Sequence, residues 1–300
     1  MLFSGMDMYS RRFNRRYRCK PADDMRPEDF PGLCAQGCAF FSDRGQKLTG
    51  SWYTRAGQSA KAVLVLVQGL CGGHRYYLDI CDAFARSGFL VFAYDATGNG
   101  ESEGEAVGGF PQGVADLDYA LRYVKAQEAC RDLPIVLFGH SWGAYSACAA
   151  LAFHPDVRAA IAVSGFDTSL GMLAQAAREK LGRATDWVVP LFAVKEMLRW
   201  GRYARAGAIK GFIKSRAKVM VIHSEDDQTV HMDSGYARYK KKFGDSPRFR
   251  FIRLEGRGHG HPLHENGVPG TLDAALMEKI LDFAHGAVRQ SDEQPAPSDL

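Results

Sequence analysis

The chain has 300 residues, 46% of them apolar and 24% charged, with a formal net charge of +4. That length and apolar content suit one large domain or two small ones with a packed core and exclude a disordered chain, while so mild a charge gives composition no claim to nucleic acid. The seven cysteines, an odd number scattered through apolar segments, exclude a disulfide framework. No apolar run approaches the roughly 20 residues that span a bilayer, so a cytoplasmic protein without a transmembrane segment is expected.

Residues 1–32 read as a basic extension. Within residues 1–20, Arg11, Arg12, Arg15, Arg16, Arg18 and Lys20 stand against one acid, Asp7, and are interleaved with Phe3, Tyr9, Phe13 and Tyr17. The expectation is a loosely docked segment with solvated arginines; contact with an anionic membrane surface is the alternative. Pro21, Pro27 and Pro31 keep the chain extended. Cys34 and Cys38 lack companions for zinc and are expected to be free thiols. Cys38–Phe41 and Lys47–Tyr53 flank Asp43-Arg44-Gly45-Gln46, a hairpin signal.

From Ala60 the pattern changes to strand and helix in alternation, which indicates a parallel sheet covered on both faces. Ala62–Val67 is the first such strand and runs into Gln68-Gly69-Leu70-Cys71-Gly72-Gly73-His74. A helix through Tyr77, Ile80 and Phe84 ends at Gly88. Phe89–Tyr94 is the next strand, followed by the turn Asp95-Ala96-Thr97-Gly98-Asn99-Gly100-Glu101-Ser102. A helix from about Gly113 to Ala129 carries Val114, Leu117, Leu121 and Val124 on one stripe. Further strands are expected at Val157–Val163, Ala217–His223 and Arg248–Leu254, with a closing helix over Thr271–Val288. The tail 291–300 reads as disordered.

Pro134–Phe138 is an apolar, β-branched run that ends abruptly in Gly139-His140-Ser141-Trp142-Gly143 and passes into a helix of small residues. A strand, a tight glycine-flanked turn and a helix lift a serine hydroxyl above a sheet and aim helix N–H groups at an oxyanion, so Ser141 is the candidate nucleophile. A serine hydroxyl needs a base to take its proton and a carboxylate to hold the base's tautomer. Two later strand ends supply both types: Ser224-Glu225-Asp226-Asp227-Gln228-Thr229-Val230 and Glu255-Gly256-Arg257-Gly258-His259-Gly260-His261. The resulting order is Ser, Asp, His. Asp226 and Asp227, and His259, His261 and His264, remain alternatives on the residues alone.

With these motifs, residues from about Leu33 to Val288 resemble the serine-hydrolase branch of the α/β-hydrolase superfamily, in particular the group containing monoacylglycerol-lipase-like hydrolases and serine aminopeptidases. The resemblance rests on Gly139–Gly143, on Asp95-x-x-Gly98-x-Gly100-x-Ser102, on His223-x-x-x-Asp227-x-x-Val230 and on Gly258-His259. It implies an α/β-hydrolase fold: a mostly parallel sheet of about eight strands, helices on both faces and a helical cap insertion. It also implies Asp227 as the acid, His259 as the base, and the N–H groups of Leu70 and Trp142 as the oxyanion hole. Gln68 stands where the family often has a histidine, which leaves Cys71, Gly72 and Gly73 as fallback donors. The Asp95 turn lacks a phosphate-loop lysine and reads as a structural brace.

The core is expected over residues 33–165 and 217–290, and the insertion over 166–216. Cys71, Trp187, Phe192 and Trp200 are the candidate substrate-lining residues, and the basic second half of the insertion reads as a solvated face or an anion-facing one. The expected activity is hydrolysis of a small-molecule carboxylic ester with an apolar acyl or alcohol part, through an acyl-enzyme on Ser141, with no cofactor and no metal. An amidase or serine aminopeptidase is the alternative within enzymes. A non-catalytic receptor of the same fold is the alternative outside them.

Overall fold

The computed structural model describes residues 11–21, 24–70 and 72–289. Residues 1–10, Cys71 and the tail from Ser291 lie outside the described residues, so the readings made of them stand as expectations. Eight strands form one sheet: β1 (Leu33–Phe41), β2 (Lys47–Arg55), β3 (Ala62–Val67), β4 (Phe89–Tyr94), β5 (Ile135–His140), β6 (Ala159–Val163), β7 (Lys218–Ser224) and β8 (Phe249–Leu254). Their spatial order is β1-β2-β4-β3-β5-β6-β7-β8. The pairs β1·β2 and β2·β4 are antiparallel, and all pairs from β4 to β8 are parallel.

The parallel strands are apolar on both faces because both faces are covered. Every residue of β3, β5 and β6 is buried. Alternation then divides β3 between two cores: Val63, Val65 and Val67 face one side and Leu64 and Leu66 the other. On the first side lie α2 (Phe110–Ala126) and α3 (Trp142–Ala150); on the second lie α1 (Leu78–Arg86) and α8 (Ala274–Arg289). The expected start of α2 at Gly113 is three residues late, since Pro111 sits in the first turn, where its missing N–H costs nothing.

Between β6 and β7 come α4 (Ser169–Leu181), α5 (Thr185–Trp200) and α6 (Ala208–Lys214). Helices α4 and α5 pack on one another, and Thr168 caps α4 by accepting the Gly171 N–H at 3.1 Å. The turn after α5 (Gly201–Arg205) is pinned to α2: buried Asp118 accepts from Arg202 and from the Tyr203 hydroxyl, each at 2.6 Å. Helix α6 instead lies against α3, so close at Gly211 that a Cβ there would stand 1.9 Å from the Cys148 carbonyl. A further helix, α7 (Tyr236–Phe243), precedes β8.

The described part of the basic N-terminal segment departs from the loose, solvated extension expected of it. Phe13 is wholly buried and meets Phe110 edge-on at 4.7 Å. Tyr17 exchanges backbone hydrogen bonds with Gly98 and Gly100, and Arg16 donates to the carbonyls of Gly100, Ser102 and Gly104. The turn after β4 offers a row of outward carbonyls, and a guanidinium with several donors satisfies them together. Among the described residues no helix is long and apolar enough to cross a membrane.

Candidate active site

Parallel strands bring the segments that follow β3, β4, β5, β7 and β8 to one edge of the sheet. Ser141 occupies the turn between β5 and α3 with φ 55°, a conformation that non-glycine residues rarely adopt. Crowding imposes it: a Cβ on Gly139 would stand 2.3 Å from the Gly143 carbonyl oxygen, and one on Gly143 would stand 2.0 Å from that of Val67. The Ser141 N–H donates to the Val163 carbonyl at 2.8 Å, which ties the strained turn to β6.

His259, in the loop after β8, has Nε2 at 2.9 Å from Ser141 Oγ and Nδ1 at 2.7 Å from Asp227 Oδ2. The carboxylate can only accept, so Nδ1 carries the proton and Nε2 presents a lone pair to the serine hydroxyl. Asp227 is buried, and its second oxygen accepts the N–H groups of Thr229 at 2.8 Å and Val230 at 2.9 Å. Burial opposes its charge, but the bonds from His223 and His259 and from the backbone outweigh burial and hold the carboxyl well below the usual range. Asp226 is exposed and turned the other way, accepting from the Ser224 hydroxyl and from the Gly258 N–H. His261 stacks on Tyr76 at 4.6 Å, and His264 bonds Asp79 at 2.6 Å, so neither of these histidines meets the serine.

The N–H of Trp142 opens α3, and Leu70 lies in the loop after β3; among the described residues neither N–H has a hydrogen-bond acceptor. Gly69, beside Leu70, donates to the Tyr77 hydroxyl at 3.0 Å. Of the fallback donors, Gly72 is backed against the Arg18–Cys19 peptide and Gly73 against Asp95. Asp95 accepts from the His74 backbone N–H and ring at 2.7 Å and from the Glu101 N–H at 2.8 Å. It thereby clamps the loop after β3 to the turn after β4. Gln68 is buried, and its amide makes no hydrogen bond with the described residues.

The candidate lining residues divide. Phe192 and Trp200 are buried in the core formed with α2, where the Trp200 indole donates to Gln112 at 3.0 Å. Trp187 is 83% exposed on α5, and among the described residues no contact links it to Ser141. Among the described residues no group of three or more histidine, cysteine or acidic side chains is placed to hold a metal ion.

Neither His140 nor Tyr77 stands out in the sequence as a site residue. His140 is buried next to Ser141, with Nδ1 at 2.8 Å from the Tyr77 hydroxyl and Nε2 at 2.8 Å from the His259 carbonyl oxygen. The only sequence signal was its place in Gly139-His140-Ser141. Its partners lie 63 and 119 positions away, beyond any local pattern.

Among solved structures the chain superposes on the esterase Pf2001 of Pyrococcus furiosus with a TM-score of 0.67 at 13% identity, over 91% of this chain and 98% of that one. It also superposes on Est1E of Butyrivibrio proteoclasticus, solved with ferulic acid, with a TM-score of 0.63 at 16% identity, over 84% and 99%. A thermostable carboxyl esterase from Bacillus coagulans gives 0.59 at 17% identity, over 85% and 99%. At these identities the likeness is one of fold. No curated protein sequence matches the chain. The family model described as serine aminopeptidase, S33, matches residues 58–232, more than half of the chain, from β3 through Ser141 to the loop that carries Asp227. Sheet order, the serine turn and this match agree: the chain belongs to the S33 serine aminopeptidase family of α/β-hydrolases.

Proposed function

We propose that the protein hydrolyses carboxylic esters through an acyl-enzyme on Ser141, with His259 as base and Asp227 as the carboxylate that orients it. The observation that carries this reading is the approach of His259 Nε2 to 2.9 Å from Ser141 Oγ, with the other ring nitrogen held on a buried carboxylate. Ser141 Oγ attacks the ester carbonyl carbon as its proton passes to His259 Nε2. The oxyanion is held by the N–H groups of Trp142 and Leu70, helped by the positive end of α3. Collapse breaks the bond to the alcohol oxygen, which takes the proton from His259. Water, deprotonated by His259, then releases the acid and restores the serine.

Ester rather than aminopeptide specificity is supported by the acids of the insertion. An aminopeptidase needs an ionised carboxylate to hold the substrate ammonium. Glu179 and Asp186 are exposed, and Asp167 accepts the Ile209 N–H at 3.0 Å. Glu196 is buried, accepts from Ser169 at 2.6 Å, and burial pushes its carboxyl up to about 7. A buried carboxyl that is only partly ionised at neutrality is a poor anchor for an ammonium. The esterases on which the chain superposes point the same way.

The test is covalent labelling by a fluorophosphonate together with turnover of p-nitrophenyl esters and aminoacyl amides. Wild-type protein should label and favour esters. Ser141→Ala should fold normally, fail to label, and lose several orders of magnitude of turnover, retaining at most about a thousandfold over water. Near-normal turnover by the folded variant would remove Ser141 from the reaction.

A further inference from the structure

The loop that offers Leu70 and the loop that carries His259 come from different strands, yet a chain of side chains joins them behind the nucleophile. The Gly69 N–H donates to the Tyr77 hydroxyl at 3.0 Å, and that hydroxyl lies 2.8 Å from His140 Nδ1. His140 Nε2 lies 2.8 Å from the carbonyl oxygen of His259. A carbonyl can only accept, so Nε2 of His140 carries the proton and Nδ1 is the acceptor. The Tyr77 hydroxyl therefore donates to Nδ1 and accepts from Gly69, which fixes the direction of every bond in the chain.

Both side chains are buried, Tyr77 to 4% and His140 to 7% exposure, and their rings pack at 5.8 Å. Gly69 is required: a Cβ there would come within 2.8 Å of the Tyr77 oxygen and 3.2 Å of the His140 carbonyl. We infer that His140 and Tyr77 are positioning residues, a neutral hydrogen-bond relay that sets the oxyanion-hole loop and the base against each other across Ser141. This rests on the ester-hydrolase reading for its kinetic consequence, although the geometry itself does not.

The relay works only with a neutral His140, because a protonated Nδ1 could not accept from Tyr77. The groups facing this ring are Tyr77, His259, Asp227 and His261; burial, and then the neighbouring His259, push its pKa down to about 3. The ring centroid of His140 stands 5.1 Å from that of His259. A neutral neighbour leaves room for the imidazolium that forms there when Ser141 attacks, where a charged one would oppose it. Tyr76 reinforces the same loop from outside by donating to the Gly260 carbonyl at 3.1 Å.

Three variants of the full chain dissect the relay. Tyr77→Phe removes only the hydroxyl. His140→Asn keeps an acceptor near Nδ1 but cannot reach the His259 carbonyl, whereas His140→Gln can donate to that carbonyl but not accept from Tyr77. For p-nitrophenyl butyrate, Tyr77→Phe and His140→Asn should each lower kcat about tenfold with KM within about twofold, because misplacement of the reacting groups enters the transition state. His140→Gln, which keeps the bond to the His259 carbonyl but breaks the link to Tyr77, should also lower kcat, by about threefold and so by less than His140→Asn. The Tyr77→Phe/His140→Asn pair should fall less than the product of the single losses.

Unchanged kcat in folded Tyr77→Phe and His140→Asn, even with a lowered Tm, would overturn the relay, as would equal kcat for His140→Asn and His140→Gln. If Tyr77→Phe does not fold, the pair of substitutions at 140 carries the test. A readout independent of turnover is the low-field proton resonance of His259 Nδ1–H on Asp227, which should shift or broaden in Tyr77→Phe and His140→Asn and shift less in His140→Gln. If wild-type protein neither labels nor hydrolyses esters, the ester-hydrolase reading fails, and this resonance alone decides the relay.

Discussion

Replacing Asp227 by asparagine changes one oxygen to an amide nitrogen, and the surrounding donors dictate which one. Oδ1 accepts the N–H groups of Thr229 and Val230 at 2.8 and 2.9 Å, so the amide oxygen of the new side chain must stay there. The NH2 group is then placed opposite His259 Nδ1, where the carboxylate now accepts at 2.7 Å. Two donors cannot share that bond, so the imidazole must adopt the other tautomer, with the proton on Nε2 facing Ser141. A protonated Nε2 cannot take the serine proton. Loss of the correct tautomer in a serine triad lowers kcat by about ten-thousandfold, and that is the expected size here. Asp226→Asn breaks nothing at His259, since Asp226 serves Ser224 and Gly258, and should cost less than about tenfold. The assay is steady-state hydrolysis of one p-nitrophenyl ester after circular dichroism has shown both variants folded. Retention by folded Asp227→Asn of more than about a tenth of wild-type kcat would refute the tautomer argument. A crippled Asp226→Asn would move the acid by one residue.

His259→Ala should abolish turnover, whereas His261→Ala, which loses a stacked partner of Tyr76, should keep most of it; kcat against pH for the two variants decides. Glu196 has a folded-state pKa raised to about 7 from an ordinary 4.5, so the folded chain binds its proton more tightly and stability falls as pH rises from about 5 to 8. Glu196→Gln should flatten that fall and stabilise the fold at pH 8 by on the order of 2 kcal/mol, seen as a higher Tm in thermal melts across that range. Gly143→Ala should destabilise by about 1–3 kcal/mol or more, because its Cβ would overlap the Val67 carbonyl, and denaturant titration measures this. A neutral Gly143→Ala would show that α3 can draw back from β3.

What lay within reach of the sequence was what is decided over a few neighbouring residues. Runs such as Ala62–Val67 and Pro134–Phe138 are apolar without alternation and alternate with helical stretches, as strands buried on both faces do, so the parallel sheet was legible from them. Glycines on either side of Ser141 announced a turn that a Cβ would close, and three strand ends with serine, carboxylate and histidine announced the chemistry. Tertiary structure alone decided the rest. Asp226 and Asp227 have the same chemistry one position apart, and only the loop's backbone turns one to solvent and the other into a ring of donors. Arg16 and Phe13 looked like part of a solvated basic stretch until the carbonyls of residues 100–104 and the ring of Phe110 supplied partners from a distant turn. Trp187 and Phe192 sit in one amphipathic run, and which of them meets the core depends on how α5 is rotated against α2 and α4, a packing choice that no short window of sequence contains. His140 shows the division most sharply: its position beside Ser141 was written in the motif, but its direction, its tautomer and its reach to both loops exist only where β5, the turn before α1 and the loop after β8 meet.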